Sequence, residues 1–144
     1  MKMIFTTEKL LLPVTTDLQG KLEQIANQHD LPTASTRALT YNFRDASYSA
    51  EDGGWHPVEI RIEQHQEQWH FSYITDFSYV GYPYPELVIE VDFDFANGEA
   101  IFLYMSPQPI NDKRVIDFYQ MWELNFMTYL HHMDVYDEIT ITID

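Results

Sequence analysis

The sequence feature that most constrains the fold is an alternating segment at residues 86–95. Large apolar side chains occupy every second position, at Leu87, Ile89, Val91, Phe93 and Phe95. Carboxylates fill most positions between them, which is typical of a β-strand with one buried and one solvated face. Asn97-Gly98 then indicates a tight hairpin turn, and residues 101–105 are expected to form the partner strand. The chain must therefore build an antiparallel sheet with a buried face.

The remaining patterns place further strands and two helices around this hairpin. Shorter alternating segments predict strands near residues 39–43, 58–63, 69–77 and 139–143. A capping-box pattern beginning at Thr16 predicts a helix over residues 17–29. An apolar stripe predicts a second helix over residues 111–132, with Asn111 or Asp112 as its cap.

These elements predict an α+β fold. We expect a curved antiparallel β-sheet of about six strands with two helices packed on one face, because the helices lie only near the two ends of the chain. Residues 1–144 are expected to form a single domain, with residues 1–15 as a candidate N-terminal arm.

The uneven distribution of charge argues against some kinds of partner. Residues 1–61 hold 8 acidic and 6 basic side chains, whereas residues 62–144 hold 15 acidic and 2 basic ones. Nucleic-acid backbones and anionic membrane surfaces are bound by clustered Lys and Arg, so neither is expected as a direct partner. The acidity favours a cationic partner, or it keeps an aromatic-rich chain soluble.

Cysteine usage and hydropathy give an expectation about location. The chain has no cysteine, so disulfides and thiolate metal sites are excluded. No apolar run approaches the roughly 20 residues that span a bilayer, and the N-terminal residues lack the pattern of a secretory signal. We therefore expect a cytoplasmic protein.

The segment at residues 42–59 is the main candidate for a functional site, because it is a polar, glycine-bearing loop between two predicted strands. Arg44 could bind a carboxylate or phosphate, His56 could act as a base or ligand, and Asp45 could orient either one. Tyr48 and Trp55 add aromatic surface. In the structural alternative, Arg44 and Asp45 pair with the loop backbone, Trp55 covers the sheet edge, and the glycines only permit a turn.

A second group of candidates follows the third predicted strand. If the strands on either side of the loop pair, Asp76 and the tyrosines at Tyr79 and Tyr82 lie at the same end of the sheet. Tyrosines on a stiff loop suit a binding interface, and they suit equally well a cover over the end of a sheet.

No metal site or cofactor is predicted. The histidines considered as ligands are His56, His65, His70, His131 and His132, and none has the spacing of a zinc motif. The acidic row at Glu86, Glu90, Asp92 and Asp94 could bind a cation or mimic phosphates. We favour a solvated sheet face for this row, because such rows are common in antiparallel sheets.

Several segments together resemble the signature of a bacterial family of unknown function. The sequence NFRDxSYSAxxGGWHPVEI begins at Asn42, YITDFSYVG begins at Tyr73, DFDF begins at Asp92 and WExNF begins at Trp122. The resemblance covers about residues 38–130. It implies a small bacterial protein of this size, and it implies no activity and no catalytic residues.

Three functions remain open. The first hypothesis is a non-enzymatic binding or interaction module, in which a peptide, a protein or a small ligand stacks on the aromatic side chains and pairs with Arg44. The second is a hydrolase-like enzyme with His56 as general base and Asp45 or Asp76 as its orienter. That enzyme needs His56 within about 3 Å of a carboxylate, or one water apart from it, in a cleft. The third is an acidic nucleic-acid-mimic decoy, which needs the acids of residues 62–144 on one continuous surface.

Overall fold

Two helices pack on a seven-stranded sheet in the computed structural model, which describes residues 2–6, 10–31 and 36–144. The helices are α1 (Thr16–Gln28) and α2 (Lys113–Met127), and a π-helical segment at Thr128–His132 continues α2. The strands are β1 (Ala38–Arg44), β2 (Val58–His65), β3 (Gln68–Val80), β4 (Glu86–Asp94), β5 (Glu99–Phe102), β6 (Gln108–Pro109) and β7 (Glu138–Ile143).

The strands lie in the order β6-β5-β4-β3-β2-β1-β7, and each adjacent pair is antiparallel. The predicted α+β class is confirmed, and the described residues contain seven strands where about six were expected. The additional strand, β6, pairs over only two residues and contains Pro109. Such a short, proline-containing segment has no alternation for a sequence pattern to detect.

Both helices have polar N-caps. The cap of α1 is Thr15, one residue before the predicted position, and its Oγ1 accepts a hydrogen bond from the Leu18 amide at 3.2 Å. The cap of α2 is Asp112, whose carboxylate accepts from the Arg114 amide at 2.8 Å. None of the helices in the described ranges is long and apolar enough to cross a bilayer.

The helices pack on the same face of the sheet, as predicted. Tyr41 and Phe43 share the inward face of β1, and their rings stack with centroids 6.3 Å apart. The Tyr41 hydroxyl donates to the carbonyl of Leu22 in α1 at 2.9 Å. The Phe43 ring meets the edge of Phe126 in α2 at 5.2 Å. One strand therefore contacts both helices through neighbouring inward positions.

A buried carboxylate joins α2 to the start of α1. Glu123 is 4% exposed, and its Oε1 accepts from the Tyr119 hydroxyl at 2.8 Å and from the Thr15 amide at 3.0 Å. Burial raises the pKa of Tyr119 well above its usual value, and the Glu123 carboxylate adds to the shift. The hydroxyl therefore stays protonated and donates. These two bonds satisfy a polar group that would otherwise be costly inside the core.

Segments of the candidate N-terminal arm lie against this core. Phe5 forms an isolated parallel bridge with Trp69 of β3. Leu12 and Val14 are buried. Apolar burial therefore extends ahead of α1.

A β-bulge in β3 changes which side chains face inward. Ser72 has no partner on β2, because the register moves directly from Phe71 to Tyr73. Phe71 and Ile74 are both buried as a result. Asp76 takes the next inward position. The single period expected through residues 69–77 is therefore interrupted by one extra residue.

A second bulge, in β4, has a similar effect. Glu90 has no partner on β3, since Val91 pairs with Asp76 and Ile89 pairs with the following residue of β3. Val91 is buried, whereas Leu87 is 40% exposed and Ile89 is 45% exposed. The expectation that these three apolar side chains share one inward face is wrong. The extra residue at Glu90 inverts the alternation on either side of it.

Candidate functional site

The loop between β1 and β2 folds around the carboxylate of Asp45. Oδ1 of Asp45 accepts from the Ser47 amide at 3.0 Å and from the Ser47 hydroxyl at 2.6 Å, and Oδ2 accepts from the Trp55 amide at 3.1 Å. These bonds, led by the one from the Ser47 hydroxyl, lower the pKa of Asp45. Two of the three donors are backbone amides, so this carboxylate holds the conformation of the loop.

Gly54 permits the close approach that this loop requires. Its φ is +134°, and a Cβ placed on it would lie 2.8 Å from Asp45 Oδ2 and 3.0 Å from the Tyr48 Cα. Gly53 has a φ of +72°, and a Cβ there would meet nothing within 4 Å. The two adjacent glycines therefore have different roles, because only Gly54 needs its missing side chain for space.

The loop delivers His56 to two carboxylates at the bulged end of the sheet. His56 Nδ1 lies 2.9 Å from Asp76 Oδ1 and 2.8 Å from Glu90 Oε2. An ionised carboxylate only accepts hydrogen bonds, so this geometry matches an imidazole that carries a proton on Nδ1. Asp76 lies opposite Val58 on the next strand, as the pairing of β2 and β3 predicts. Glu90 reaches the same nitrogen from the second bulge.

Helix α2 fixes the second oxygen of Asp76. The indole Nε1 of Trp122 donates to Asp76 Oδ2 at 2.9 Å, across 46 positions of sequence. The Asp76 side chain is only 15% exposed. Both oxygens of this carboxylate therefore have defined partners, and its orientation is set from the loop and from the helix.

The two carboxylates change the acidity of His56. The hydrogen bond with Asp76 is the largest cause and raises the pKa of His56 above its usual value, although partial burial opposes the shift. The charge of Glu90 adds to the increase. The imidazolium form is therefore favoured by its surroundings, while Nε2 makes no hydrogen bond within the described part of the chain.

His56, Asp76 and Glu90 form a polar triad. This triad lines one side of a cleft of about 380 Å³. The sheet side contributes Val58 and Val91 as well as the three polar residues, and the opposite wall is aromatic. The aromatic lining residues are Trp55, Phe118, Trp122, Phe126, Tyr129 and Tyr136. Asn125 from α2 completes the lining with an exposed amide side chain. The cleft therefore combines a large apolar surface with one polar cluster, which is the usual composition of a ligand site.

The structure brings some of the predicted site residues to this cleft. Trp55, His56 and Asp76 line it. The Tyr48 ring lies behind His56 at 5.4 Å, and it also contacts Tyr79 at 5.2 Å. These contacts make Tyr48 a support for the imidazole.

The other predicted residues lie away from the cleft. Arg44 ends β1 with an exposed side chain and is not among the lining residues. Tyr82 is 97% exposed on the loop between β3 and β4 and does not line the cleft. Asp45 lies within the loop itself. The predicted cluster of eight residues is therefore divided in space.

Glu90, Asn125 and most of the aromatic side chains that line the cleft are not among the site residues predicted from the sequence. Glu90 was assigned to the solvated acidic row, and the aromatic wall of α2 was assigned to the core. One signal was available, because the WExNF segment of the family signature supplies Trp122, Asn125 and Phe126, and all three line the cleft. Tyr129 and Tyr136 had no such signal.

The molecule is thus a small α+β protein with an open cleft between a bulged antiparallel sheet and a helix. The chain belongs to DUF2787, a family described as a protein of unknown function, whose sequence profile matches residues 16–142. The predicted membership of an uncharacterised family is thus confirmed. No curated protein matches the chain.

Two solved structures from Vibrio cholerae are similar over most of their length. A hypothetical protein from the VSP-II pathogenicity island is 40% identical with a TM-score of 0.90, covering 99% of this chain and 100% of that one. A conserved hypothetical protein from pathogenicity island VPI-2 is 41% identical with a TM-score of 0.80, covering 91% and 95%. The latter is described as sharing structural homology with the human P32 protein.

Replacing Gly54 tests the packing of the loop. We expect Gly54→Ala to lower the free energy of unfolding by about 2 kcal/mol, because the new Cβ meets Asp45 and the Tyr48 backbone at an unfavourable φ. Gly53→Ala is the matched control and should cost less, since the space around it is open. Urea unfolding of both variants measures the difference. Equal losses would contradict the close-approach argument.

Replacing Asp76 tests the electrostatics of the triad. Asp76→Asn removes the largest cause of the raised pKa, so the pKa of His56 should fall when followed by NMR in buffer containing a chelator. Because the folded pKa is raised, the associated stability is fully present below about pH 6.5, the ordinary His value, and is lost as pH rises through the folded pKa.

The control for this titration is Asp52→Asn, since Asp52 is an exposed loop residue whose side chain does not contact His56. It should leave the imidazole titration unchanged. An unchanged titration in Asp76→Asn as well would contradict the proposed pairing.

Proposed function

We propose that this chain is a non-enzymatic binding module that holds a small ligand in the cleft between the bulged end of the sheet and α2. The observation that carries the proposal is the convergence of six aromatic side chains and one polar triad on a single cleft of about 380 Å³. Ligand sites are concave, mostly apolar, and contain a few placed polar groups. The volume suits a small molecule or one side chain of a peptide.

The lining defines how such a ligand would bind. The Trp55 and Tyr129 rings lie 6.2 Å apart at 64°, which offers an edge and a face to a planar group. The polar end of the ligand would contact His56, whose Nε2 is unoccupied by hydrogen bonds in the described residues. Arg44 does not line the cleft and therefore would not contact this ligand.

We also propose a source, a cellular location and a kind of partner for this module. The Vibrio relatives support a bacterial protein. We place it in the cytoplasm, where a chain without cysteine loses nothing by lacking disulfides. A small ligand or a peptide is its partner, and nucleic acid is not a direct one.

Obstructing the mouth of the cleft tests ligand binding. A library of small planar compounds carrying an amine, a carboxylate or a neutral polar group would be screened by ligand-observed NMR. We expect Asn125→Trp to weaken the compounds that bind by about tenfold or more, equivalent to about 1.4 kcal/mol, because an exposed lining residue becomes a large ring.

Gln120→Trp provides the matched control on the same helix. Gln120 is exposed on α2 and does not line this cleft, so binding should be retained. Compounds that bind both variants equally would show that they do not occupy the cleft. A screen in which none of the three polar types binds the wild type would remove the basis of the proposal.

A hydrolase-like enzyme is the second candidate, favoured by one specific observation. His56 Nδ1 is 2.9 Å from Asp76 Oδ1, which satisfies the distance required of a base and its orienter. Trp122 holds the other oxygen of Asp76, so the pair is fixed. The imidazole could then accept a proton at Nε2 from water or a hydroxyl in the cleft.

Turnover of chromogenic carboxylate and phosphate esters tests this second candidate. His56→Gln should lower the rate by roughly 10²–10⁴-fold, the usual contribution of a general base. His65→Gln is the control, since His65 is exposed at the opposite end of β2. Equal rates in wild type and His56→Gln, or no turnover by either, would reject an enzymatic role for the pair with these substrates.

The acidic decoy gains no support from the arrangement of carboxylates. Asp76 and Glu90 line the cleft, and Glu123 is a buried residue of α2. Asp92 accepts from the Thr75 hydroxyl at 2.8 Å, and partial burial raises its pKa. Acids that a phosphate mimic would need on one outer surface thus lie in several separate environments.

A further inference from the structure

We propose that His56, Asp76 and Glu90 form a binding site for a divalent transition-metal cation. Their three ligand atoms, one imidazole nitrogen and two carboxylate oxygens, all lie within 4.8 Å of one another. This goes beyond the small-ligand module, because a cation can bind here whether or not the cleft also takes an organic molecule. It also departs from the sequence expectation of no metal.

The spacing of the ligand atoms suits such a cation. Nδ1 of His56 lies 2.9 Å from Asp76 Oδ1 and 2.8 Å from Glu90 Oε2. Metal bonds of about 2.0–2.2 Å from nitrogen and carboxylate oxygen place neighbouring ligand atoms roughly 3.3–3.6 Å apart at tetrahedral angles. A cation therefore requires each carboxylate oxygen to move away from Nδ1 by about half an ångström, together with loss of the proton on Nδ1.

The charge of the cluster also favours a cation. Within the described ranges, the ion pairs of Arg61, Lys113 and Arg114 are all made with other acids, and neither Asp76 nor Glu90 contacts Lys or Arg. Two carboxylates therefore depend on one imidazole for compensation. A divalent ion would neutralise both carboxylates while keeping the imidazole neutral.

The surroundings resemble the support that metal ligands usually have. Trp122 Nε1 donates to Asp76 Oδ2 at 2.9 Å, which leaves Oδ1 directed at the cluster. Outer partners of this kind orient ligating carboxylates. The bulge at Glu90 fixes the third ligand on a strand. Side chains held by strands and by a buried indole provide a more defined site than three groups on flexible loops.

The ligand set points to Zn²⁺ or a similar ion and to an open coordination sphere. Imidazole suits zinc and related metals, whereas Mg²⁺ and Ca²⁺ prefer oxygen alone. Three protein ligands leave a fourth position for water or for a ligand from the adjacent cleft. The ligand at this fourth position would therefore be exchangeable.

Calorimetry with ZnCl₂ tests the site directly. Protein stripped with a chelator and dialysed should bind one equivalent of Zn²⁺, and MgCl₂ should bind far more weakly. Asp76→Asn and Glu90→Gln should each weaken Zn²⁺ by about tenfold or more. Trp122→Phe keeps all three ligands and should still weaken binding by about 10–100-fold, because it removes the outer partner of Asp76.

Glu63→Gln is the matched control. Glu63 lies beside His65, with Oε2 3.7 Å from His65 Nε2, so it is another carboxylate next to a histidine. Its variant should bind Zn²⁺ like the wild type. Circular dichroism and thermal unfolding in metal-free buffer establish that each variant is folded.

A measurement on the wild type covers the case of an unfolded variant. Mn²⁺ added at substoichiometric amounts should broaden the amide NMR signals around His56, Asp76 and Glu90 first. Broadening centred on His131 and His132, absence of saturable Zn²⁺ binding, or unchanged Zn²⁺ affinity in folded Asp76→Asn would each overturn the proposal. The compound screen, run with chelator present, tests the binding module separately, so the two proposals can fail independently.

Discussion

The arrangement of the site depends on the carboxylate of Asp76. Its two oxygens bind different parts of the chain, the imidazole of His56 from the loop and the indole of Trp122 from α2. These bonds hold the loop, the central strand β3 and the helix in a fixed relation, and the cleft is the space between them. An inward carboxylate with both oxygens engaged avoids the cost of an unpaired buried charge, so the same contacts that position the site also make it tolerable in the core.

Two single-residue bulges explain why acidic groups occur on the inward side of an otherwise apolar sheet face. Side chains alternate with a period of exactly two, so one extra residue inverts every position beyond it. Ser72 brings Asp76 inward, and Glu90 is itself the extra residue that meets His56. Bulges near sites often redirect a side chain in this way. The bulge at Glu90 also turns Leu87 and Ile89 outward, so the position of this carboxylate leaves two apolar side chains exposed.

The sequence predicted the parts of the molecule that local patterns determine. Alternation identified most of the strands, helical spacing identified both helices, and hairpin pairing placed Asp76 near His56. The sequence pattern does not predict the bulges, because a strand with an extra residue differs from a regular strand only in its pairing with the neighbouring strand. The bond from Trp122 to Asp76 joins positions 46 residues apart, and no local pattern contains it. Arg44 ends β1 with an exposed side chain and is not among the residues that line the cleft, which its position in the sequence beside the loop did not indicate.

The two proposals together determine which ligands the cleft can accept. Without a cation, two carboxylates face one imidazole, none of the described residues that line the cleft is Lys or Arg, and the chain carries a net charge of −15. An anionic ligand would then meet repulsion in a partly desolvated site, so neutral or cationic compounds are favoured. A bound divalent cation would reverse this preference, because it compensates both carboxylates and offers an open coordination position. The charge of the ligand therefore follows from the occupancy of the triad, and the aromatic wall serves either case.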